Sequence, residues 1–273
     1  MNPSKFKDWI PPKIWNWLRY SYGGFHVVDS WPGSTTNGWK YAVTEAAIAN
    51  DESMRRMLEG QAIGVLPEES LDILPDRTMD FHHWIMQFVF IVARSAMGRD
   101  ELKLLDFGGG FGTHALALKR MLPSLRVEYT VCDLPEFCKI GEKLNQNVTF
   151  ISDLEQADTD YQLVYASSSI QYIKNWQNLI AQLCKISNRY IFITRTPFVL
   201  NHSPFIAVQK AYGTEYPGWV FNFHDFVKEL QGHDMRLSEV FINGRGNPVK
   251  ASGEMNIHLG LLFEKSIDKV KNT

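Results

Sequence analysis

Two kinds of hydrophobic pattern meet near Gly98-Arg99-Asp100, a polar break that contains a glycine. Before it, residues 39–60 and 79–97 repeat apolar positions at helical spacing. The second stretch carries Phe81, Trp84, Phe88 and Phe90, which reads as a helix buried on more than one side. Turn-rich segments, Tyr22-Gly23-Gly24 and Trp31-Pro32-Gly33, lie ahead of these patterns. Residues 1–98 are therefore expected to form a mostly helical N-terminal extension. After the break, short apolar runs at 102–107, 127–132, 148–151, 163–166 and 190–194 alternate with amphipathic segments of helix length. That rhythm predicts βαβ units and a doubly wound, mostly parallel sheet across 99–273. Two further runs, 237–242 and 257–263, are joined by a Gly/Asn/Pro-rich connection without a helix, which predicts an antiparallel pair at the end of the sheet. The long, aromatic and poorly periodic stretch at about 196–223 is expected to be a lid-like insertion or substrate wall, with a packed loop as the plainer alternative.

Composition narrows the function class. The chain has 273 residues, 45% apolar and 21% charged, enough for a sizeable core and far from the disordered regime. Lys+Arg 28 against Asp+Glu 30, with no basic block, makes nucleic acid an unexpected partner. Cys132, Cys138 and Cys184 lack metal-ligand or disulfide spacing and read as reduced thiols, so no metal is expected. Residues 1–20 contain no signal-peptide core and no segment is apolar enough to span a bilayer, so the expected compartment is the cytoplasm and no membrane association is foreseen. The Asn147-Val148-Thr149 sequon then carries no sugar.

The sharpest chemistry lies where an apolar strand runs into glycines and then a helix: Leu104-Leu105-Asp106-Phe107-Gly108-Gly109-Gly110-Phe111-Gly112-Thr113-His114. Only glycine lets a backbone turn so tightly and approach a ligand so closely. The third glycine of the dinucleotide fingerprint falls on Thr113, which leans away from a nicotinamide cofactor, and the Lys-Ser/Thr of a P-loop is missing. A second strand ends at Asp133, 21 residues beyond Gly112, where a carboxylate can accept from both ribose hydroxyls of a nucleoside. The third ends at Ser152-Asp153-Leu154, where Asp153 reads either as a partner of an adenine amino group or as a helix cap. The fourth ends in Ser167-Ser168-Ser169-Ile170-Gln171-Tyr172, small polar residues that admit a ligand to the backbone or cap a helix. His114, beside the glycine turn at a helix start, reads either as a ligand contact or, more commonly for that position, as solvent-facing, and His82 and His83 read as core or interface residues.

Together these residues resemble the class I S-adenosylmethionine-dependent methyltransferases, whose acid-x-Gly-x-Gly-x-Gly motif is matched by Asp106, Gly108, Gly110 and Gly112 and whose second acidic motif is matched by Asp133. The chain further resembles a bacterial family of methyltransferases associated with surface-polysaccharide or small-molecule gene clusters. That likeness rests on Leu105-Asp106-Phe107-Gly108-Gly109, Ser168-x-x-Gln171-Tyr172, Arg195-Thr196-Pro197-Phe198, Val208-Gln209-Lys210 and Tyr216-Pro217-x-Trp219. Asp133 departs from the glutamate usual there and reaches one methylene less far. The resemblance implies a Rossmann-like, seven-stranded sheet and S-adenosyl-L-methionine as cofactor. It places Asp106, Phe107, Gly108, Gly110, Gly112, Asp133, Leu134, Ser152, Asp153, Leu154 and Ser168 around that cofactor.

Methyl transfer is an in-line displacement on an already activated group, so the protein has mainly to position its reactants and, for a hydroxyl acceptor, to supply a base. Candidates near the ends of the fourth and fifth strands are Arg195, Thr196, His202, Gln209, Tyr212, Glu215, Tyr216, Trp219 and His224. Of these His202, Arg195 and Tyr216 are taken as the catalytic set. His202 is the expected base, since an unperturbed imidazole, with a pKa of ~6.5, is largely neutral at pH 7 and can accept a hydroxyl proton. Arg195 stays protonated and suits an anionic acceptor through a bidentate contact. The expected reaction is O-methylation of a small polar metabolite or sugar derivative. The rivals are a nicotinamide-dependent oxidoreductase and a non-catalytic S-adenosylmethionine-binding scaffold. The aromatic helical extension could cover a partner subunit, which makes a homodimer a candidate assembly.

Overall fold

The computed structural model describes residues 26–28, 76–211, 214–248 and 254–266. All seven apolar runs named above are strands: β2 (Glu101–Phe107), β3 (Arg126–Cys132), β4 (Thr149–Ile151), β5 (Tyr161–Ser167), β6 (Ser187–Val199), β9 (Met235–Pro248) and β10 (Met255–Lys265). Helices α2 (Thr113–Met121), α3 (Pro135–Leu144), α4 (Trp176–Ile186) and α5 (Phe223–Gln231) connect them. The expected helix at 79–97 is α1, Asp76–Ser95. The expected helix at 39–60 and the turns at 22–24 and 31–33 lie outside the described residues.

Across the sheet these seven strands run β4-β3-β2-β5-β6-β10-β9. Neighbours from β4 to β6 are parallel, while β10 is antiparallel to both β6 and β9. Parallel strands joined by helices bring every carboxyl end to one edge, and the order reverses between β2 and β5, where open α/β sheets hold their ligands. The antiparallel end pair expected from the missing helix is β9–β10.

The sheet is buried on both faces. Leu102, Leu104 and Asp106 of β2 turn to the face covered by α1 and α2, with Trp84, Phe88, Ala117 and Leu118. Leu105 turns to the other face, under Leu179, Leu183, Phe226 and Leu230 of α4 and α5. Each such apolar side chain contributes roughly 1.5–3 kcal/mol on burial, so the edge that carries the glycine turn is anchored by two layers. Cys132, Cys138 and Cys184 are free and buried; burial pushes the Cys138 thiol up to about 11 and Cys184 to about 12. They are inert thiols rather than nucleophiles.

The stretch read as a lid-like insertion is built into the sheet. Strand β6 continues past Ser167, the last residue of β5, and the side thus left open is taken by β8 (Thr214–Asn222), which pairs in parallel through Phe198↔Phe221 and Val199↔Asn222. β7 (Phe205–Ala211) pairs antiparallel with β8, and β1 (His26–Val28) with β7. Pro217 sits where β8 is flanked by β7 alone, a position that proline tolerates. At Gly218 a Cβ would stand 3.3 Å from the Tyr172 ring, so glycine lets that ring close on the strand. Among the described residues no helix is long and apolar enough to cross a membrane.

Candidate functional site

At the carboxyl edge β2 ends in Phe107 and the chain enters the glycine turn. Gly108 has φ +74°, and its N–H donates to the Cys132 carbonyl at 2.8 Å, which ties the turn to the end of β3. A Cβ on Gly108 would lie 2.4 Å from Ser169 Cβ, and one on Gly109 2.6 Å from Asp106 Oδ2. Neither space admits a side chain. Ser169 Oγ closes the other side by donating to the Phe107 carbonyl at 2.8 Å.

Asp133 at the tip of β3 points into the turn. Its Oδ2 accepts the Gly110 N–H at 2.8 Å and its Oδ1 accepts the Leu134 N–H at 2.7 Å. These two bonds orient the Asp133 carboxylate along the turn. Asp153 is exposed and caps a 3₁₀ turn at Leu154–Gln156, its Oδ1 accepting the Glu155 N–H at 2.9 Å. That capping bond uses Oδ1 alone. Ser152 is exposed and Leu154 half-buried beside it.

Ser168 follows β5 with φ +52°, and its N–H donates to the Thr194 carbonyl at 3.0 Å. The Gln171 side chain folds back on it, Nε2 donating to Ser168 Oγ at 3.1 Å. Gln171 is buried, and its Oε1 has no hydrogen-bond partner among the described residues. A buried orphan acceptor beside a ligand edge is a place for an incoming donor.

Asp106, expected among the cofactor contacts, lies beneath the turn and is completely buried. Its Oδ2 accepts the Tyr129 hydroxyl at 2.6 Å and lies 2.9 Å from His114 Nδ1. Burial first, and then the Asp106 charge, push the Tyr129 phenol far above its usual range, so it remains a donor. His114 is therefore not solvent-facing: it is 6% exposed, with its ring edge-on to Trp84 and Tyr165. The helix start that suggested solvent faces inward because α1 lies across it. Tyr129 escaped the sequence reading, and His114 was placed on the wrong side of its helix. The signal available was alternation, since Leu102, Leu104 and Asp106 share a face and β3 runs beside them, but the tyrosine itself had no motif.

On the other side of the edge, Arg195 is exposed at φ +56°, with its guanidinium 4.9 Å from the Trp84 ring centroid. Thr196 is buried, its Oγ1 donating to the Thr194 carbonyl at 3.3 Å. His202 stands three residues past the end of β6, its Nδ1 2.7 Å from the Ser203 carbonyl and its ring edge-on to Phe205. Tyr216 lies on β8 opposite Gln209, beside Glu215. The side chains of these three, and Tyr212 altogether, fall outside the described residues, as do the side chains of His82 and His83. Trp219 donates from Nε1 to the Lys174 carbonyl at 3.2 Å, and His224 is exposed at the start of α5. No group of His, Cys, Asp and Glu among the described residues is arranged to hold a metal.

No protein-family model matches the chain, and no curated protein is significantly similar to it in sequence. Solved structures do match. Magnesium protoporphyrin IX methyltransferase from Synechocystis PCC 6803, crystallised with bound SAM, superposes with a TM-score of 0.53 at 13% identity, over 86% of this chain and 100% of that one. A 1,6-didemethyltoxoflavin-N1-methyltransferase from Burkholderia thailandensis matches at TM-score 0.49 and 13% identity, over 89% of this chain and 95% of that one. An amino pentose methyltransferase from Micromonospora echinaspora matches at TM-score 0.45 and 8% identity, over 68% and 91%. The first of these likenesses, together with the strand order and its antiparallel end pair, shows that this chain has the class I methyltransferase fold.

Proposed function

We propose that the protein is an S-adenosylmethionine-dependent methyltransferase that methylates a hydroxyl of a small polar molecule, such as a sugar derivative. The observation that carries this reading is the glycine turn itself. Side chains are sterically barred at Gly108 and Gly109, and Asp133 is locked onto the Gly110 N–H. The result is a backbone cradle with a carboxylate bonded to its rim. Gly110, Gly112, Phe107 and Leu134 border it, Asp133 would take the ribose hydroxyls, Ser152, Asp153 and Leu154 the adenine, and Ser168 with the unpartnered Gln171 Oε1 the charged amino-acid end. Asp106 supports the turn from below.

S-adenosylmethionine, when bound, supplies the activated methyl. The chain's own task is to hold the acceptor in line and accept one proton. Arg195, His202 and Tyr216 belong to the β6 extension and hairpin on the acceptor side. With its Nδ1–H donated to the Ser203 carbonyl, His202 keeps the Nε2 lone pair free, which is the tautomer a general base needs. That nitrogen would take the hydroxyl proton as the oxygen gains the methyl.

The Asp133→Ala protein is expected to bind S-adenosylmethionine ~1.5–3 kcal/mol more weakly by titration calorimetry, the range for charge-assisted hydrogen bonds. Unchanged affinity would remove Asp133 from the ribose. The His202→Ala protein is expected to lose ~10²-fold in kcat with cofactor affinity intact. Near-normal turnover on the true acceptor would transfer the role to Tyr212, Tyr216 or His224. Heat stability raised by S-adenosylmethionine and not by nicotinamide cofactors separates this reading from an oxidoreductase. Cofactor binding without turnover on any acceptor would leave a scaffold.

A further inference from the structure

The backbone at Arg195 is strained for a purpose that the sheet alone does not supply. A left-handed φ of +56° is disfavoured for any residue with a Cβ, and a bulge of this kind in a strand would ordinarily take glycine or asparagine. Three contacts hold it in place. Residues Thr194 and Arg195 bulge opposite Gly260 of β10, between the pairs Leu259↔Thr196 and Leu261↔Ile193. Asn243 Oδ1 accepts from Thr194 Oγ1 at 3.0 Å and from the Arg195 N–H at 3.4 Å, while its Nδ2 donates to Gln87 Oε1 at 2.6 Å. Gly260 makes room for this chain of amides, because a Cβ there would lie 3.1 Å from Thr194 Oγ1 and 3.2 Å from Asn243 Oδ1. Strain over-determined by its surroundings marks a positioned side chain.

That side chain is an arginine with no carboxylate partner among the described residues. Its guanidinium lies over the Trp84 ring, 4.9 Å from the centroid. It is also one residue beyond Thr194, whose carbonyl accepts the Ser168 N–H, so it stands directly at the edge proposed to hold the cofactor.

Strand β10 adds two further groups. It alternates regularly, with Ile257, Leu259, Leu261 and Phe263 on the α4/α5 face. Asn256, His258 and Gly260 therefore share the opposite face with Leu262, the side on which Trp84 and Arg195 lie. Asn256 is fully buried, and neither its Oδ1 nor its Nδ2 has a hydrogen-bond partner among the described residues. Burial, and then the nearby Arg195 charge, hold His258 below its usual range. His258 is therefore a neutral hydrogen-bonding group there, able both to donate and to accept. A buried amide with both ends free is rare in a finished core, and is expected where a ligand completes it.

We infer that Arg195, His258 and Asn256 form an oxyanion subsite on the acceptor side, and that the methyl acceptor carries a carboxylate or phosphate gripped by the Arg195 fork. This rests on the methyltransferase reading for its meaning, but its test does not need turnover. Binding of D-glucose, D-glucuronate and D-glucose 6-phosphate would be measured by saturation-transfer NMR, with and without saturating S-adenosylhomocysteine. These probes share a ring and differ in carrying no anion, a carboxylate or a phosphate.

Both anions are expected to bind at least tenfold more tightly than glucose, and Arg195→Gln to erase the difference. Arg195→Gly removes the charge while relieving the left-handed strain, so it should fold at least as well and also lose the preference. Asn256→Leu should raise the unfolding midpoint, by replacing an unpartnered amide, and yet weaken anion binding severalfold. Equal binding of the three probes, or an anion preference that survives in Arg195→Gln, overturns the inference. A preference for only one of the two anions supports it and names which group the acceptor bears. If S-adenosylhomocysteine fails to bind while the anion preference is present, the methyltransferase reading falls and the subsite stands.

Discussion

Replacing Gly110 with valine is expected to abolish detectable S-adenosylmethionine binding while the fold survives. Gly110 has φ +57°, a left-handed conformation that is a genuine outlier for a β-branched residue and costs it about 1–3 kcal/mol locally. To escape, the valine must turn its backbone, and the N–H that now donates to Asp133 at 2.8 Å turns with it. The turn and the carboxylate would then be lost to the ligand together. Two charge-assisted contacts at ~1.5–3 kcal/mol each correspond to a loss of more than ~10²-fold in affinity. Titration calorimetry reads the affinity, and circular dichroism shows that the sheet remains. Normal binding by this variant would mean that the cradle is not where the cofactor sits.

The larger effect on stability is expected at Asp106. Asp106→Ala leaves the Tyr129 hydroxyl and the His114 ring facing an empty, fully buried volume, with α1 and α2 packed over it. Removing one partner of a buried polar network costs about 3–5 kcal/mol, because the groups left behind are desolvated and unpaired. Chemical denaturation should show that loss, and Tyr129→Phe, which removes one donor to an oxygen that keeps another, only about 1–2 kcal/mol. A loss below about 1 kcal/mol for Asp106→Ala would show that the carboxylate is not the anchor of the turn. Asp106→Asn keeps the shape and separates charge from packing: it should fold and bind cofactor more weakly than the parent chain.

Both expectations concern residues that were visible in one dimension, and the division between what was visible and what was not has a physical cause. Strand, glycine turn and helix at 102–121 are contiguous, and the constraints that make them are local: apolar runs of strand length, residues without a Cβ at tight φ, then helical spacing. Asp133 was legible for the same reason, as the end of an apolar run at a telling distance from the glycines. The antiparallel end pair β9–β10 followed from the absence of a helix between its two runs, a property of the chain alone.

Whatever depended on partners distant in sequence was decided only by the tertiary structure. The hairpin β7–β8 has Pro217 and Gly218 where alternation should run, and it becomes a sheet element only because β6 outlasts β5 and leaves a side to pair. His114 reads as a polar helix start until α1 is laid across it and Asp106 is found 2.9 Å away. Arg195 is legible as a candidate for an anionic acceptor, but its left-handed bulge over Trp84 exists only because β10 and Asn243 hold it there. Asn256 and His258 gave no signal at all, since burial and the lack of a hydrogen-bond partner are properties of the surroundings. Local backbone preferences and periodicity determined the sheet, its glycine turn and the carboxyl edge; the bulge at Arg195 and the face of β10 were decided by long-range pairing, because each of these groups acquires its surroundings from neighbours tens of residues away.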